Sequence, residues 1–339
     1  AAFLATLILP VPQGMPPAAW PTAGLVAWMA LWWMTEALPL SVTALLPFIV
    51  LPLLNVADAN KAAAAYYSPT MFLFVGGAFL ALAIERTGLH RRLALAILSH
   101  SGHTSAQLLL AVMTATALIS MFVSNTSTAL IMMPMALAML AAGGVKAGET
   151  EGLAGALPMG VAFAATLGGF GTIVGTPTNA IAVALLKKSL GVEITFLEWS
   201  LYGLPLVVLA VPLAALIIAR VQRLHEHAFD PHAARAAIHL PPGWSVAEKR
   251  LAPIFALAVA AWVAMPWLKD LAPPGGIDDG TIAAIAGLAL FIVPDGTGRS
   301  LLNWEEAMRA PWGVILMFGG GLSLAMGMSE SGLADWLGQ

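Results

Sequence analysis

Cysteine is absent from this 339-residue sequence, and charged residues make up only 10 % of it. The lack of cysteine excludes disulfides, a thiol nucleophile and metal sites built from thiolates. Soluble globular chains are about one-quarter charged, so the scarcity of charge excludes a water-soluble protein. The formal net charge of −3 gives no indication of a nucleic-acid partner.

Apolar residues are abundant instead. Hydrophobic residues account for 59 % of the chain, and the mean hydropathy is +0.86. A helix that spans a bilayer needs about 20 mostly apolar residues, and several such runs follow one another here. The 11 Trp and 32 Gly are typical of interfacial belts and of close helix packing. The composition therefore predicts an all-α polytopic membrane protein.

The central apolar run, Leu108–Leu140, is interrupted halfway by the polar residues Ser124–Thr128. The run is too long for one crossing of a bilayer and too short for two. It therefore predicts a re-entrant hairpin over residues 106–142, with a polar tip near mid-membrane that is buried in protein or lines a watery cavity. The alternative is one long tilted helix whose polar groups bond to neighbouring helices.

A second interruption lies in the apolar segment Leu157–Leu186, which contains Gly168–Thr172 and Gly175–Asn179. Pro177 removes a backbone donor and clashes with the preceding turn, and glycine tolerates unwound backbone. The segment predicts a helix over residues 157–186 that is broken in mid-membrane. An ordinary proline-kinked helix is the alternative.

The remaining spans complete the predicted organisation. Residues 1–19 are expected to be the remnant of an N-terminal span, and residues 20–222 a first repeat. The polar segment 223–250, which is rich in histidine, is predicted to be a cytoplasmic loop, and residues 251–339 an incomplete second repeat. The basic amphipathic segment 85–103 is expected to lie along the membrane interface.

The distribution of Lys and Arg supports the hairpin. If the hairpin does not cross the bilayer and the segment 85–103 is cytoplasmic, eleven of the 15 basic residues lie inside and four outside. All nine arginines are then inside, as the positive-inside rule expects. A hairpin that crossed the membrane would place the large basic loop outside, and the distribution of Lys and Arg would no longer follow the positive-inside rule.

An internal repeat is also visible. Phe74–Ala81 resembles Phe318–Ala325 at an offset of 244 residues, and in the predicted topology the two copies run in opposite directions. Inverted repeats are typical of secondary transporters, whose sites lie at the repeat interface near the midplane. At the same offset, a partner of the polar tip would fall near position 368, so the second half-site is expected to lie beyond Gln339.

Four ordered stretches resemble the divalent anion:sodium symporter (DASS) family of di- and tricarboxylate transporters. They are Trp33–Pro47, Gly76–Arg92, the Ser-Asn-Thr motif Ser124–Thr126 and Gly175–Asn179. A single Ser-Asn-Thr motif is weak evidence for the family, whereas the four stretches together, in order over nearly the whole chain, are strong evidence for it. One departure is Thr178, where members of the family usually have a second proline.

The resemblance implies the site and the activity. Sodium would be bound by Ser120, Ser124, Asn125 and the backbone of Gly175, and the substrate by Asn125, Thr126, Thr176 and Pro177. The resemblance implies sodium-coupled transport of a dicarboxylate of the succinate, malate or fumarate type by alternating access. It also implies a homodimer formed by the second, third, seventh and eighth spans, in a bacterial inner membrane.

Other functions remain open at this stage. Within the same class they are sodium-independent carboxylate exchange, citrate or sulfate transport, and arsenite or sodium/proton transport. A membrane enzyme with Ser124 or Ser127 as the nucleophile is disfavoured because neither polar interruption contains His or an acid, so no catalytic residue is predicted. A scaffold that does not transport, or an inactive half of a transporter, is the remaining alternative.

Overall fold

The computed structural model describes residues 2–67, 69–100, 102–146, 148–227, 229–236, 242–271, 273 and 276–338. In these ranges the chain forms α-helices and two short 3-10 turns, Ile173–Gly175 and Lys269–Leu271. The helices are, in chain order, α1 Ala2–Ile8, α2 Ala19–Thr35, α3 Leu40–Thr43, α4 Leu46–Leu53, α5 Ala59–Ala64, α6 Pro69–Thr87, α7 Leu89–Ser99, α8 Ser105–Ser120, α9 Asn125–Ala142, α10 Leu153–Gly169, α11 Pro177–Leu190, α12 Phe196–Val221, α13 Pro231–Ala236, α14 Val246–Val263, α15 Met265–Leu268, α16 Asp279–Ile292, α17 Trp304–Ala307, α18 Trp312–Glu330 and α19 Leu333–Leu337.

The prediction of an all-α polytopic membrane protein is confirmed. Four helical segments of the described chain are long and apolar enough to cross a bilayer, and a fifth qualifies if the bent pair Val246–Val263 and Met265–Leu271 forms one span. The angle within that pair is 70°. Large apolar side chains on the outer face of α12, among them Leu209 and Leu213, remain exposed, as expected of a helix surrounded by lipid.

The chain divides into two compact units, residues 1–72 with 311–339, and residues 73–310. In the first unit, Leu25, Met29 and Leu51 form a buried apolar cluster between α2 and α4. The Tyr66 hydroxyl donates a 2.6 Å hydrogen bond to the carbonyl of Ala44, between α3 and α4. The apolar stretch over residues 42–54 is thus divided at residues 44–45, a break that its apolar pattern does not show.

The second unit contains both polar interruptions. The helices α8 and α9 are separated by residues 121–124. At the start of α8, the ring of His103 stacks on His232, with centroids 5.0 Å apart. At the end of α9, the Asp230 N–H donates to the carbonyl of Gly143 at 3.2 Å. Because both far ends contact the same short segment, 230–232, α8 and α9 are the arms of a hairpin.

A small cavity marks the base of this hairpin. It has a volume of about 280 Å³, and its lining includes Ser105 at the start of α8, Val145 after α9 and Leu153 at the start of α10. Part of the predicted loop 223–250 covers this base, and it contains the short helix α13. That helix interrupts a segment that the sequence analysis treated as loop throughout.

The helix α10 runs beside α8 from the base of the hairpin to its tip. Close contact is possible because glycines of α10 face α8: a Cβ built at Gly160 would lie 2.8 Å from Leu109 Cδ1, and one at Gly168 would clash with the backbone of Ala117. The packing of these two helices therefore places the end of α10 beside the end of α8.

Candidate functional site

The tip of the hairpin is a short turn between two helix ends. α8 ends at Ser120 and α9 begins at Asn125. Ser124 is the N-cap of α9, and its hydroxyl accepts a 3.2 Å hydrogen bond from the Ser127 N–H. Serine is a favoured N-cap because its oxygen satisfies one of the free N–H groups at a helix start. The polar run thus ends one helix and starts the next.

The predicted break in the second apolar segment is also present. α10 ends at Gly169, the backbone then forms the 3-10 turn Ile173–Gly175, and α11 starts at Pro177. Thr176 caps α11 by accepting a 3.4 Å hydrogen bond from the Asn179 N–H. Proline fits the first position of a helix because its missing N–H would have no partner there.

The hairpin tip and the broken helix touch. The buried Thr172 hydroxyl donates a hydrogen bond to the carbonyl of Met121, in the hairpin turn. Gly175 faces the same carbonyl: a Cβ built there would lie 3.0 Å from Met121 O and 2.5 Å from Gly169 O. Only glycine leaves these carbonyl oxygens so close to the unwound backbone.

Ser120 and Asn125 bring two more oxygens to this place. The fully buried Ser120 Oγ lies 2.6 Å from the carbonyl oxygen of Ala165 and 2.9 Å from Asn125 Oδ1. A hydroxyl carries a single proton. When that proton is donated to Ala165, the lone pairs of Ser120 and Asn125 face each other, an arrangement that a small hard cation between them would stabilise.

The helix ends give the site its electrostatic character. The two interruptions that touch contain four helix ends. The C-terminal ends of α8 and α10 carry partial negative charge, and the N-terminal ends of α9 and α11 carry partial positive charge. Carbonyl ends favour a cation and free N–H groups favour an anion. The segments Leu108–Leu140 and Leu157–Leu186 contain no charged side chain.

The predicted site residues fall into two groups. Ser120 and Asn125 are hydrogen-bonded in the tip, and Gly175 faces the carbonyl of Met121 beside them. The others start the two helices: Ser124 and Thr126 flank Asn125 and are exposed, while Thr176 and Pro177 begin α11 and are half-buried. A Cβ built at Gly169 would approach both Asn125 Oδ1, at 2.9 Å, and Thr176 Cγ2, at 2.5 Å, so the two groups adjoin.

Two polar residues at the site were given no role by the sequence analysis. Thr172 and Asn179 are each 3 % exposed, and both bond to backbone carbonyls of the interruptions. In the sequence, Thr172 is a polar residue inside an apolar run, and Asn179 is the last residue of the stretch Gly175–Asn179 that carries the family resemblance. The carbonyls that Thr172 and Asn179 reach depend on how the unwound backbone folds. The spacing of residues in the sequence does not predict these hydrogen bonds.

The chain is similar to known membrane transporters. Residues 30–339 match the model of a family described as "Citrate transporter". The sodium-dependent dicarboxylate transporter SdcS of Staphylococcus aureus strains USA300 and NCTC 8325 / PS 47 is 35 % identical to this chain. The alignment covers 350 residues, which include 99 % of this chain and 67 % of the relative.

The family match extends over both polar interruptions and over the motifs that suggested the resemblance. The chain is therefore an integral, multi-pass membrane protein, and it belongs to the citrate transporter family and to the divalent anion:sodium symporter (DASS) family that its motifs resemble.

Proposed function

We propose that the protein is a secondary active transporter that carries a dicarboxylate together with sodium by alternating access. The observation that carries the proposal is the contact between the hairpin tip, where Ser120 bonds to Asn125, and the broken helix, where Gly175 faces the carbonyl of Met121. Neither apolar segment contains a charged side chain. The name of the SdcS relative, a sodium-dependent dicarboxylate transporter, supports the same substrate and coupling ion.

Oxygen chemistry favours sodium at this place. Hard cations prefer oxygen ligands, and discontinuous helices in transporters supply them as unwound carbonyls and helix C-terminal ends. The Ser120 hydroxyl, the Asn125 side-chain oxygen and the carbonyl of Gly175 are the proposed ligands, and Ser124 is the fourth. Ser124 Oγ also caps α9, so its lone pairs would serve both the helix and the ion.

The substrate would use the opposite helix ends. Asn125, Thr126 and Thr176 offer amide and hydroxyl donors at the starts of α9 and α11, where N–H groups favour a carboxylate. Pro177, the first residue of α11, would contact the substrate through its ring. No Arg or Lys lies in either interruption, so the charge of a dianion must be balanced from elsewhere.

Sodium would supply that balance. Two opposite unit charges 4 Å apart attract by about 4 kcal/mol at an effective dielectric of 20. A bound cation therefore lowers the free energy of bringing a carboxylate into the site, and coupling of the two solutes follows from this electrostatic need. The same argument favours symport over sodium-independent exchange.

Uptake of labelled succinate into proteoliposomes tests the proposal. We expect uptake with an inward sodium gradient and little uptake when choline replaces sodium outside. Uptake that is equal in the two salts would contradict sodium coupling, and the absence of both uptake and counter-flow would contradict a transporter. Competition by unlabelled malate, fumarate, citrate and sulfate would then define the substrate class.

A further inference from the structure

The start of α11 holds a buried amide side chain that reaches back across the break. Asn179, the third residue of α11, is 3 % exposed. Its Nδ2 donates hydrogen bonds to the carbonyls of Gly169, at 2.7 Å, and of Thr172, at 2.8 Å. An amide nitrogen carries two protons, so both are used, and they join the end of α10 and the unwound segment to the first turn of α11.

A second link connects the same segment to the hairpin. Thr172, whose carbonyl is held by Asn179, donates its own hydroxyl proton to the carbonyl of Met121. The carbonyls of Met121 and Gly169 are those that crowd Gly175, at 3.0 Å and 2.5 Å from a Cβ built there. The two side chains thus fix the carbonyls around the proposed sodium ligand Gly175.

Direct contact between Asn179 and a solute does not fit the geometry. The side chain is buried and both of its donor hydrogens point at backbone oxygens. Any influence of Asn179 on transport must therefore act through the backbone that it holds.

We infer that Asn179, assisted by Thr172, is a positioning residue for sodium: its amide orients the unwound carbonyls so that the cation finds its ligands in place. This inference rests on the proposed sodium-coupled function. Without the amide donors, the buried carbonyl of Gly169 loses this hydrogen bond, and the carbonyl of Thr172 keeps the 3.3 Å bond from the Gly175 N–H. The two carbonyls can then turn toward other donors, which disorders the ligands before sodium binds. The substrate groups on α9 are not held by Asn179 and are affected only through the cation.

The test compares Asn179→Asp with the wild-type protein. Aspartate has the same shape but offers no amide donor. Thr172→Val is an independent variant because it removes the hydroxyl and keeps the branched shape. Thr178→Ala is the matched control, since Thr178 is the exposed neighbour of Asn179. Sodium-dependent uptake of succinate in proteoliposomes gives the half-saturation concentration of sodium, and the KM for succinate at saturating sodium.

For Asn179→Asp and Thr172→Val we expect the sodium half-saturation to rise roughly tenfold or more, with the succinate KM at saturating sodium within about threefold of wild type. Thr178→Ala should match the wild type in both. An unchanged sodium half-saturation in Asn179→Asp would overturn the inference. So would a loss of uptake that saturating sodium does not restore, because that pattern indicates a general structural role.

A binding measurement separates this inference from the proposed function. The rise in thermal unfolding temperature on adding sodium, followed in detergent, reports sodium binding without transport. If the wild type shows neither this rise nor sodium-dependent uptake, both proposals fail. If the wild type shows both and Asn179→Asp retains the full rise at the same sodium concentration, only the positioning role fails.

Discussion

Gly169 leaves the space that the Asn125 side chain occupies: a Cβ built at Gly169 would lie 2.9 Å from Asn125 Oδ1. The two residues belong to different interruptions, since Gly169 ends α10 and Asn125 starts α9. Because Gly169 has no side chain, the Asn125 side chain can occupy its position beside the end of α10. This contact allows a prediction that involves no change to a proposed ligand.

Gly169→Ala is expected to displace Asn125 and Thr176. Overpacking of a close contact costs about 1–3 kcal/mol, so the sodium half-saturation for uptake should rise roughly tenfold or more. Gly321→Ala in α18 is the matched control, because a Cβ there has no neighbour within 4 Å. Normal sodium dependence in Gly169→Ala would contradict the proposed position of the Asn125 oxygen.

Asn125→Ala should abolish sodium-dependent uptake. The substitution removes an oxygen proposed for sodium and a donor proposed for the carboxylate, and it leaves Ser120 Oγ bonded only to Ala165. Uptake of labelled succinate and the sodium-induced rise in unfolding temperature are measured on the same preparation. If the variant keeps the rate and the sodium affinity of the wild type, the site is assigned wrongly.

Sodium and substrate should strengthen each other's binding by the same factor. Reciprocal coupling is a thermodynamic requirement when two ligands share a binding equilibrium. Calorimetric titration of succinate at several sodium concentrations, and of sodium at several succinate concentrations, gives the two factors. Succinate binding that does not depend on sodium would contradict the charge-balance argument.

Asp295 provides a pH-dependent contribution to stability outside the spans. Its carboxylate accepts hydrogen bonds from the Thr297 hydroxyl, at 2.7 Å, and from the Thr297 N–H, at 2.8 Å, and it pairs with Arg86 at 2.7 Å. These donors lower the pKa of Asp295 to about 2. A lowered pKa means that the ionised form stabilises the fold, and that this stabilisation is lost as the pH falls from the ordinary value near 4 toward 2.

Asp295→Asn should therefore lower the unfolding temperature at pH 7, and the difference from wild type should shrink as the pH falls below about 4. Thermal unfolding in detergent over a pH series measures this. Glu305→Gln, which alters an exposed carboxylate nearby, is the control and should have little effect. A difference that stays constant across the series would show that the Asp295 charge contributes nothing.

The sequence predicted the parts of the fold that the bilayer dictates. The lengths of apolar segments, and the polar residues within them, predicted a hairpin over residues 106–142, and the structure has the helices Ser105–Ser120 and Asn125–Ala142 there. Gly175 and Pro177 located the break, because glycine and proline act on the backbone at their own positions.

Other features depend on tertiary contacts and were not predicted. The break at residues 44–45 is accompanied by the Tyr66 hydrogen bond to Ala44 from 22 residues away. Asn179 bonds to a carbonyl at the end of α10, and Thr172 bonds to the carbonyl of Met121 after the end of α8, so both bonds depend on where these two helices end. The boundaries of the two repeats and the homodimer remain predictions.

Labelling of single cysteines from each side of the membrane tests the re-entrant hairpin most directly, because residues 1–339 contain no cysteine. Cysteine replaces His100 before α8 or Lys146 after α9, and Lys269 is the reference for the opposite face; all three positions are exposed. If the hairpin is re-entrant, we expect an impermeant thiol reagent to label positions 100 and 146 from the same side of the membrane, and position 269 from the other side. Labelling of positions 100 and 146 from opposite sides would show that the segment crosses the bilayer and would contradict the account.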